Sequence, residues 1–195
     1  GGIVNGGAAP ALREFAAAFG VPVVTTLMGI GVVDTSHPLS LRMLGMHGAA
    51  FANYAVDDCD FLIAAGARFD DRVAGTPGRF AQGARHIAHF DIDASEINKV
   101  KRVHWSHVGR TADALARLTE YGRQAGFSRD WSAWHAHCAA LKETYAMNYD
   151  RASELIQPNH LIEAINRLTK GEAIITTGVG QHQMWAAQYF DFREP

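Results

Sequence analysis

Cysteine is scarce: Cys59 and Cys138 are the only two, they stand far apart, and they form no metal-ligand spacing. That excludes a disulfide scaffold and a CxxC-type zinc site, and is the pattern of reduced thiols in a reducing compartment. Runs of like charge are also missing. Eighteen basic against twenty acidic residues give a net charge of -2, without the basic footprint that nucleic acid or an anionic membrane surface would require. No apolar stretch reaches the ~20 residues of a bilayer span, and none has the flanks of a signal peptide, so the chain reads as soluble. There is no internal repeat and no low-complexity tract. The chain opens on Gly1-Gly2-Ile3 rather than methionine and stops at Pro195 within an unfinished α/β pattern, so a piece of a longer protein is expected.

What is present is an ordinary globular composition, 48% hydrophobic over 195 residues, enough for one sizeable core and part of another. Leu12, Phe15, Ala16 and Phe19 share a helical face, and Gly20 stands where that helix would end. VPVVT (21 to 25) predicts a strand, HPLSLRMLGMHG an irregular segment, and AAFANYAV a helix. FLIAAG is a continuous apolar run suited to a strand covered on both faces, and HIAHFDI (86 to 92) predicts another. A helix fits from Thr111 to Arg123 with Ala112, Leu115 and Ala116 inward. Trp131, Trp134, Cys138, Leu141 and Tyr145 mark one stripe of a long helix. Pro158 opens a further helix carrying Leu161, Ile165 and Leu168 in phase, AIITTG (173 to 178) predicts a strand, and GQHQMWAAQYF the start of a helix. Strands alternating with helices imply a Rossmann-like, doubly wound parallel sheet, followed by the beginning of a second α/β domain. The expected division is 1-150 and 151-195.

In such a sheet ligands bind outside the carboxyl ends of the strands. TLMGIG, GARFDDRV, DIDASE and GVGQHQ all fall there, and LGMHGAA precedes a helix. Glycines let backbone amides approach phosphate, a helix N-terminus adds partial positive charge, and Arg68 and Arg72 can neutralise a diphosphate. Asp91, closing a strand, can accept hydrogen bonds from ribose or ribityl hydroxyls. Each signal has a plainer alternative: a solvated loop with self-paired charges for GARFDDRV, a loop-to-helix turn for LGMHG, and a cap for Asp91 or His182. Acid/base work by Asp70 and Asp71 is disfavoured because adjacent residues seldom converge on one atom. His104, His107, His135 and His137 are not arranged as metal ligands. GxGxxG is complete nowhere.

TLMGIG, LRMLGMHGAAFANYAVDDCDFLIAAGARFDDRVAG, HFDIDASEI and AIITTGVGQHQMWAAQYF together resemble the catalytic large subunits of the acetolactate synthase (acetohydroxyacid synthase) family. The resemblance covers nearly the whole chain and is weakest from Ser128 to Gln157. It implies a central FAD-binding domain whose first strand would precede Gly1, then the opening of a thiamine diphosphate-binding domain. It assigns to FAD Gly1 and Gly2, Thr26, Leu27 and Met28, Leu44, Gly45, Met46 and His47, Gly66, Ala67, Arg68, Phe69 and Asp70, Arg72, Asp91 and Ile92. Gln181 and His182 would approach the thiamine diphosphate phosphates. Met46, Asp71 and Arg72 fall where family members bind sulfonylurea-type herbicides. Gly109-Arg110-Thr111 departs from the family's Gly-Asp-apolar pattern.

The family joins two pyruvates, or pyruvate and 2-oxobutyrate, with loss of carbon dioxide in branched-chain amino-acid synthesis; the thiamine cofactor carries the chemistry and FAD is not consumed as an oxidant. The activating glutamate and the magnesium-binding GDG motif would lie outside this chain, so no catalytic residue or metal ligand is expected within it. The implied partners are 2-oxo acids, a second copy in a homodimer or larger oligomer, and a regulatory small subunit. A bacterial cytoplasm is the expected compartment, with an organelle left open. The rivals are a glyoxylate carboligase-like enzyme and a non-catalytic nucleotide-binding module.

Overall fold

The computed structural model describes residues 1–195. A single turn, α1 (Gly2–Asn5), leads into α2 (Ala9–Phe19), which ends where Gly20 adopts φ +64° and donates its amide to Ala16. β1 (Val23–Thr25) and β2 (Ser40–Met43) pair in parallel. α3 (Ala50–Asp58) then precedes β3 (Phe61–Ala65), the short α4 (Asp71–Ala74), β4 (His86–Asp91) and β5 (Trp105–Val108). β3, β4 and β5 form a second parallel sheet in that order. α5 (Thr111–Gln124), α6 (Ser132–Thr144), α7 (Pro158–Thr169) and α8 (Gln181–Tyr189) complete the chain. No helix is long and apolar enough to cross a membrane.

Alternation along the strands sends side chains to two helical layers. On one face Ala64 and Ile87 join Phe51, Ala52 and Val56 of α3, with Phe69 and Phe80 from the loops, and Leu62 and Val24 packed against them. On the other, Ala65 packs with Ile3, Ala8, Ala9 and the fully buried Leu115 of α5. Phe19 carries α2 against the end of α5 through an edge contact with Phe127 at 5.7 Å. Truncating the fully buried Leu115 to alanine would cost ~2–5 kcal/mol through lost burial and the cavity left behind. The result is a doubly wound α/β domain.

The sheet is divided. β1 and β3 each pair on one side only, and Gly1-Gly2 lies between their carboxyl ends: the Gly1 nitrogen lies 3.3 Å from the Thr26 hydroxyl and the Gly2 amide donates to the Gly66 carbonyl (2.9 Å).

Three local expectations need correction. HPLSLRMLGMHG is not wholly irregular, because Ser40–Met43 forms β2, and β5 was not expected at all. Ala116 points outward, while Ala114 and Thr119 join Leu115 on the buried side of α5. AIITT forms no strand: Ile174 is 94% exposed, and the segment has no neighbour with which to pair its backbone groups. The helices flanking it formed without that help, α7 and α8 packing on each other.

Candidate functional site

The carboxyl edge of the two sheets is built by close backbone approach. A Cβ on Gly2 would lie 2.7 Å from the Gly66 carbonyl oxygen, and Gly66, at φ +56°, would meet Gly2 in return at 3.0 Å. Only glycine lets the first turn and the loop after β3 touch in this way. The Gly1 nitrogen lies 3.3 Å from the Thr26 hydroxyl, and the Gly66 amide donates to the carbonyl of Phe90, the neighbour of Asp91 (2.8 Å). The TLMGIG, GARFDDRV and DID segments therefore converge.

LGMHG is stitched to the same place. The Met46 amide donates to the Arg72 carbonyl (2.9 Å), and the Leu44 amide to Thr25 (3.0 Å). Asn53 of α3 grips Gly45 from both sides, its Oδ1 accepting from the Gly45 amide (2.7 Å) and its Nδ2 donating to the Gly45 carbonyl (3.0 Å). Sequence reasoning passed over Asn53, although a lone amide inside the apolar AAFANYAV run was the available signal.

The charges of GARFDDRV divide into three roles. Asp70 caps α4, its carboxylate accepting from the Val73 amide (3.1 Å), and Asp71 makes only a loose, exposed pair with Arg72 at 3.9 Å. Arg68 is exposed and forms no ion pair or hydrogen bond. The solvated-loop alternative thus describes Asp71 and Arg72 but leaves Arg68 unengaged. Phe69 and Leu44 turn into the core, so those two can meet a ligand only through their backbone. Ala67 is half-buried.

Asp91 ends β4. Its Oδ1 accepts from the Asp93 amide (2.9 Å), which is the capping alternative realised in part, while Oδ2 lies 3.9 Å from Nε2 of the buried His89. His89, a second residue that sequence reasoning missed, was visible as a histidine inside an apolar strand. Beside this polar set stand Met28 (73% exposed), Met46 (63%) and Ile92 (72%), with Leu27 also open. Gln181 and His182 occupy the first turn of α8, exposed and without hydrogen bonds to the cluster; the other end of that helix reaches it, where Gln188 Nε2 donates to the His47 carbonyl (2.9 Å). His135 and His137 hold α6 in place, through the Gly20 carbonyl (2.7 Å) and Asp58 (2.8 Å).

A glycine cradle, an unpaired guanidinium, a carboxylate with acceptor capacity left and exposed apolar side chains suit a ligand that combines phosphates, hydroxyls and flat apolar rings. The model of the central domain of thiamine pyrophosphate enzymes matches residues 1–118. The chain belongs to the thiamine pyrophosphate enzyme family. It is 50% identical over 186 residues to the chloroplastic acetolactate synthase 1 of Oryza sativa subsp. japonica, covering 94% of this chain and 29% of the relative. The chloroplastic acetolactate synthase 1 of Zea mays is 47% identical over 197 residues (98% and 31%), and the chloroplastic acetolactate synthase of Arabidopsis thaliana 42% over 197 residues (100% and 29%). The chain thus spans under a third of the length of these relatives.

These relatives overturn the bacterial-cytoplasm expectation: the rice, maize and Arabidopsis enzymes are chloroplastic. Two unpaired cysteines suggest only a reducing compartment, a condition that does not distinguish a bacterial cytoplasm from a plastid.

Proposed function

We propose that this chain is the FAD-binding middle and the start of the thiamine diphosphate-binding part of an acetolactate synthase, divided at 1-150 and 151-195. The whole enzyme joins two pyruvates, or pyruvate and 2-oxobutyrate, with loss of carbon dioxide, and works as a homodimer or larger oligomer open to a regulatory subunit. The observation that carries the flavin reading is the unpaired Arg68 beside the Gly2–Gly66 cradle. A buried or half-buried diphosphate needs such a partner, and a planar guanidinium supplies two parallel donors.

In this reading the Gly2 and Gly66 backbone and Arg68 hold the diphosphate of FAD, Asp91 accepts its hydroxyls, and Leu27, Met28, Met46 and Ile92 line its rings. Gln181 and His182 meet the phosphates of thiamine diphosphate at the N-terminus of α8, where the helix dipole favours negative charge. Thiamine diphosphate, anchored through magnesium by residues outside this chain, supplies the decarboxylation and carbon–carbon bond formation. The residues of this chain bind, orient and exclude water, and none exchanges a proton with substrate.

The test is flavin retention by the intact enzyme. Arg68→Ala should weaken FAD binding about tenfold, the size expected for one charge-assisted contact. Unchanged flavin occupancy after dialysis would remove Arg68 from the site and take away the main support for the reading.

A further inference from the structure

We infer that His89 is a positioning residue for Asp91: its Nε2–H donates to Asp91 Oδ2 and sets the carboxylate to receive the vicinal hydroxyls of a sugar or ribityl chain. The inference rests on the flavin reading above and adds to it a residue and a mechanism.

His89 is 0% exposed, and neither of its ring nitrogens reaches solvent or any hydrogen-bond partner. Buried polar atoms are almost always paired, because an orphan forfeits its hydration with nothing in exchange. Positions 89 and 91 of β4 project to the same face of the sheet, and Asp91 Oδ2, 3.9 Å from Nε2, is just beyond bonding distance. Of the other neighbours, Ala64 is the ladder partner on β3, Ser106 on β5 makes no hydrogen bond to the ring, and Phe69 lies edge-on at 5.2 Å between ring centroids. A small rotation of the Asp91 side chain closes the gap.

The carboxylate gains a defined orientation. An ionised carboxylate has about four acceptor sites. The Asp93 amide holds Oδ1 (2.9 Å), and His89 holds Oδ2 from beneath. The carboxylate plane is then fixed at both oxygens, and one outward lone pair on each is left at the carboxyl edge of the sheet, a pattern that matches two adjacent hydroxyls. Asp91 retains 12% exposure of its side chain, an opening for that contact, whereas His89 has none and acts only through its neighbour.

The competing role for His89 is packing alone, since Phe69, which it touches, adjoins Arg68. A double-mutant cycle in the intact enzyme separates the two, with FAD affinity measured by flavin fluorescence on the apo-protein. His89→Phe keeps a ring against Phe69 and removes both nitrogens, His89→Leu repeats the loss with a different shape, and His89→Gln returns a donor near the Nε2 position. FAD binding should weaken about tenfold in His89→Phe and His89→Leu and return to within about threefold of wild type in His89→Gln. In an Asp91→Ala background, which leaves no acceptor for the ring, His89→Phe should cause no further loss. Additive losses, or no rescue by glutamine, overturn the inference in favour of packing. Wild-type affinity in His89→Phe overturns it while the flavin reading stands, and failure of the wild type itself to bind FAD brings down both.

Discussion

Cys59 follows α3 among Asp57, Asp58 and Asp60, and burial, reinforced by those carboxylates, pushes its thiol up to about 12 from 9.0. In the unfolded chain the proton leaves near pH 9, in the folded chain near 12. Between those values the native state holds more protons, so stability falls as pH rises, by ~1.4 kcal/mol per unit, and below pH 9 the thiol contributes no slope. The denaturant midpoint should therefore drop more from pH 8 to pH 10 in the wild type than in Cys59→Ala; equal drops would place the cause elsewhere. The residue scale also shows where a motif stops being informative. RFDD identifies a ligand loop, but whether Phe69 faces the ligand or the core depends on Phe80 and His89, which arrive from elsewhere in the chain.

Among the elements, the loops after β2 and β3 act as a pair. Gly45 sits at φ +98°, and a Cβ there would lie 2.4 Å from the Arg72 carbonyl oxygen, backbone that cannot swing away. Gly45→Ala should cost at least ~2 kcal/mol and displace Met46 from Arg72, read as a lower Tm together with flavin loss. Gly75→Ala has nothing within 4 Å of the new methyl but must hold φ +55° and ψ −109°, a conformation outside the left-handed helical basin, and should cost ~1–3 kcal/mol while leaving flavin bound. The strongly periodic elements were legible: α2, α3, α5 and α6, and the apolar strands β3 and β4. β2 and β5 were not, the former because the Ser-Leu-Arg-Met alternation lasts only four residues between Pro38 and Gly45 and the latter because WSHV is an exposed edge. AIITT erred the other way, apolar enough for a strand but without a partner strand, which no local pattern reveals.

At the scale of the whole molecule, α8 is tied to β2 by Arg42, another residue the sequence did not single out. Its guanidinium donates to the carbonyls of Gln188 (3.1 Å) and Phe190 (3.4 Å) and pairs with Asp191, whose other oxygen accepts from Asn166 (2.9 Å). The network borders a polar cavity of about 500 Å³ shared by Ser40, Lys142 and Glu163. Arg42→Ala should loosen this attachment by ~1–2 kcal/mol, accelerating proteolytic cutting in the 148–157 connection about tenfold. An unchanged cutting rate would mean that the α8 contacts near His47 suffice.

The divided sheet has a kinetic corollary. Each ladder joins strands close together along the chain, whereas the Gly2–Gly66 junction between the two sheets joins residues 64 apart in sequence. Short-range pairings close early and long-range ones late, so the two halves should assemble separately and meet last at the glycine junction. That junction would equally be the first to part on unfolding. A molecule bridging it from Arg68 to Met28 would act as a brake on the escape step, lengthening the lifetime of the native state more than it hastens its formation.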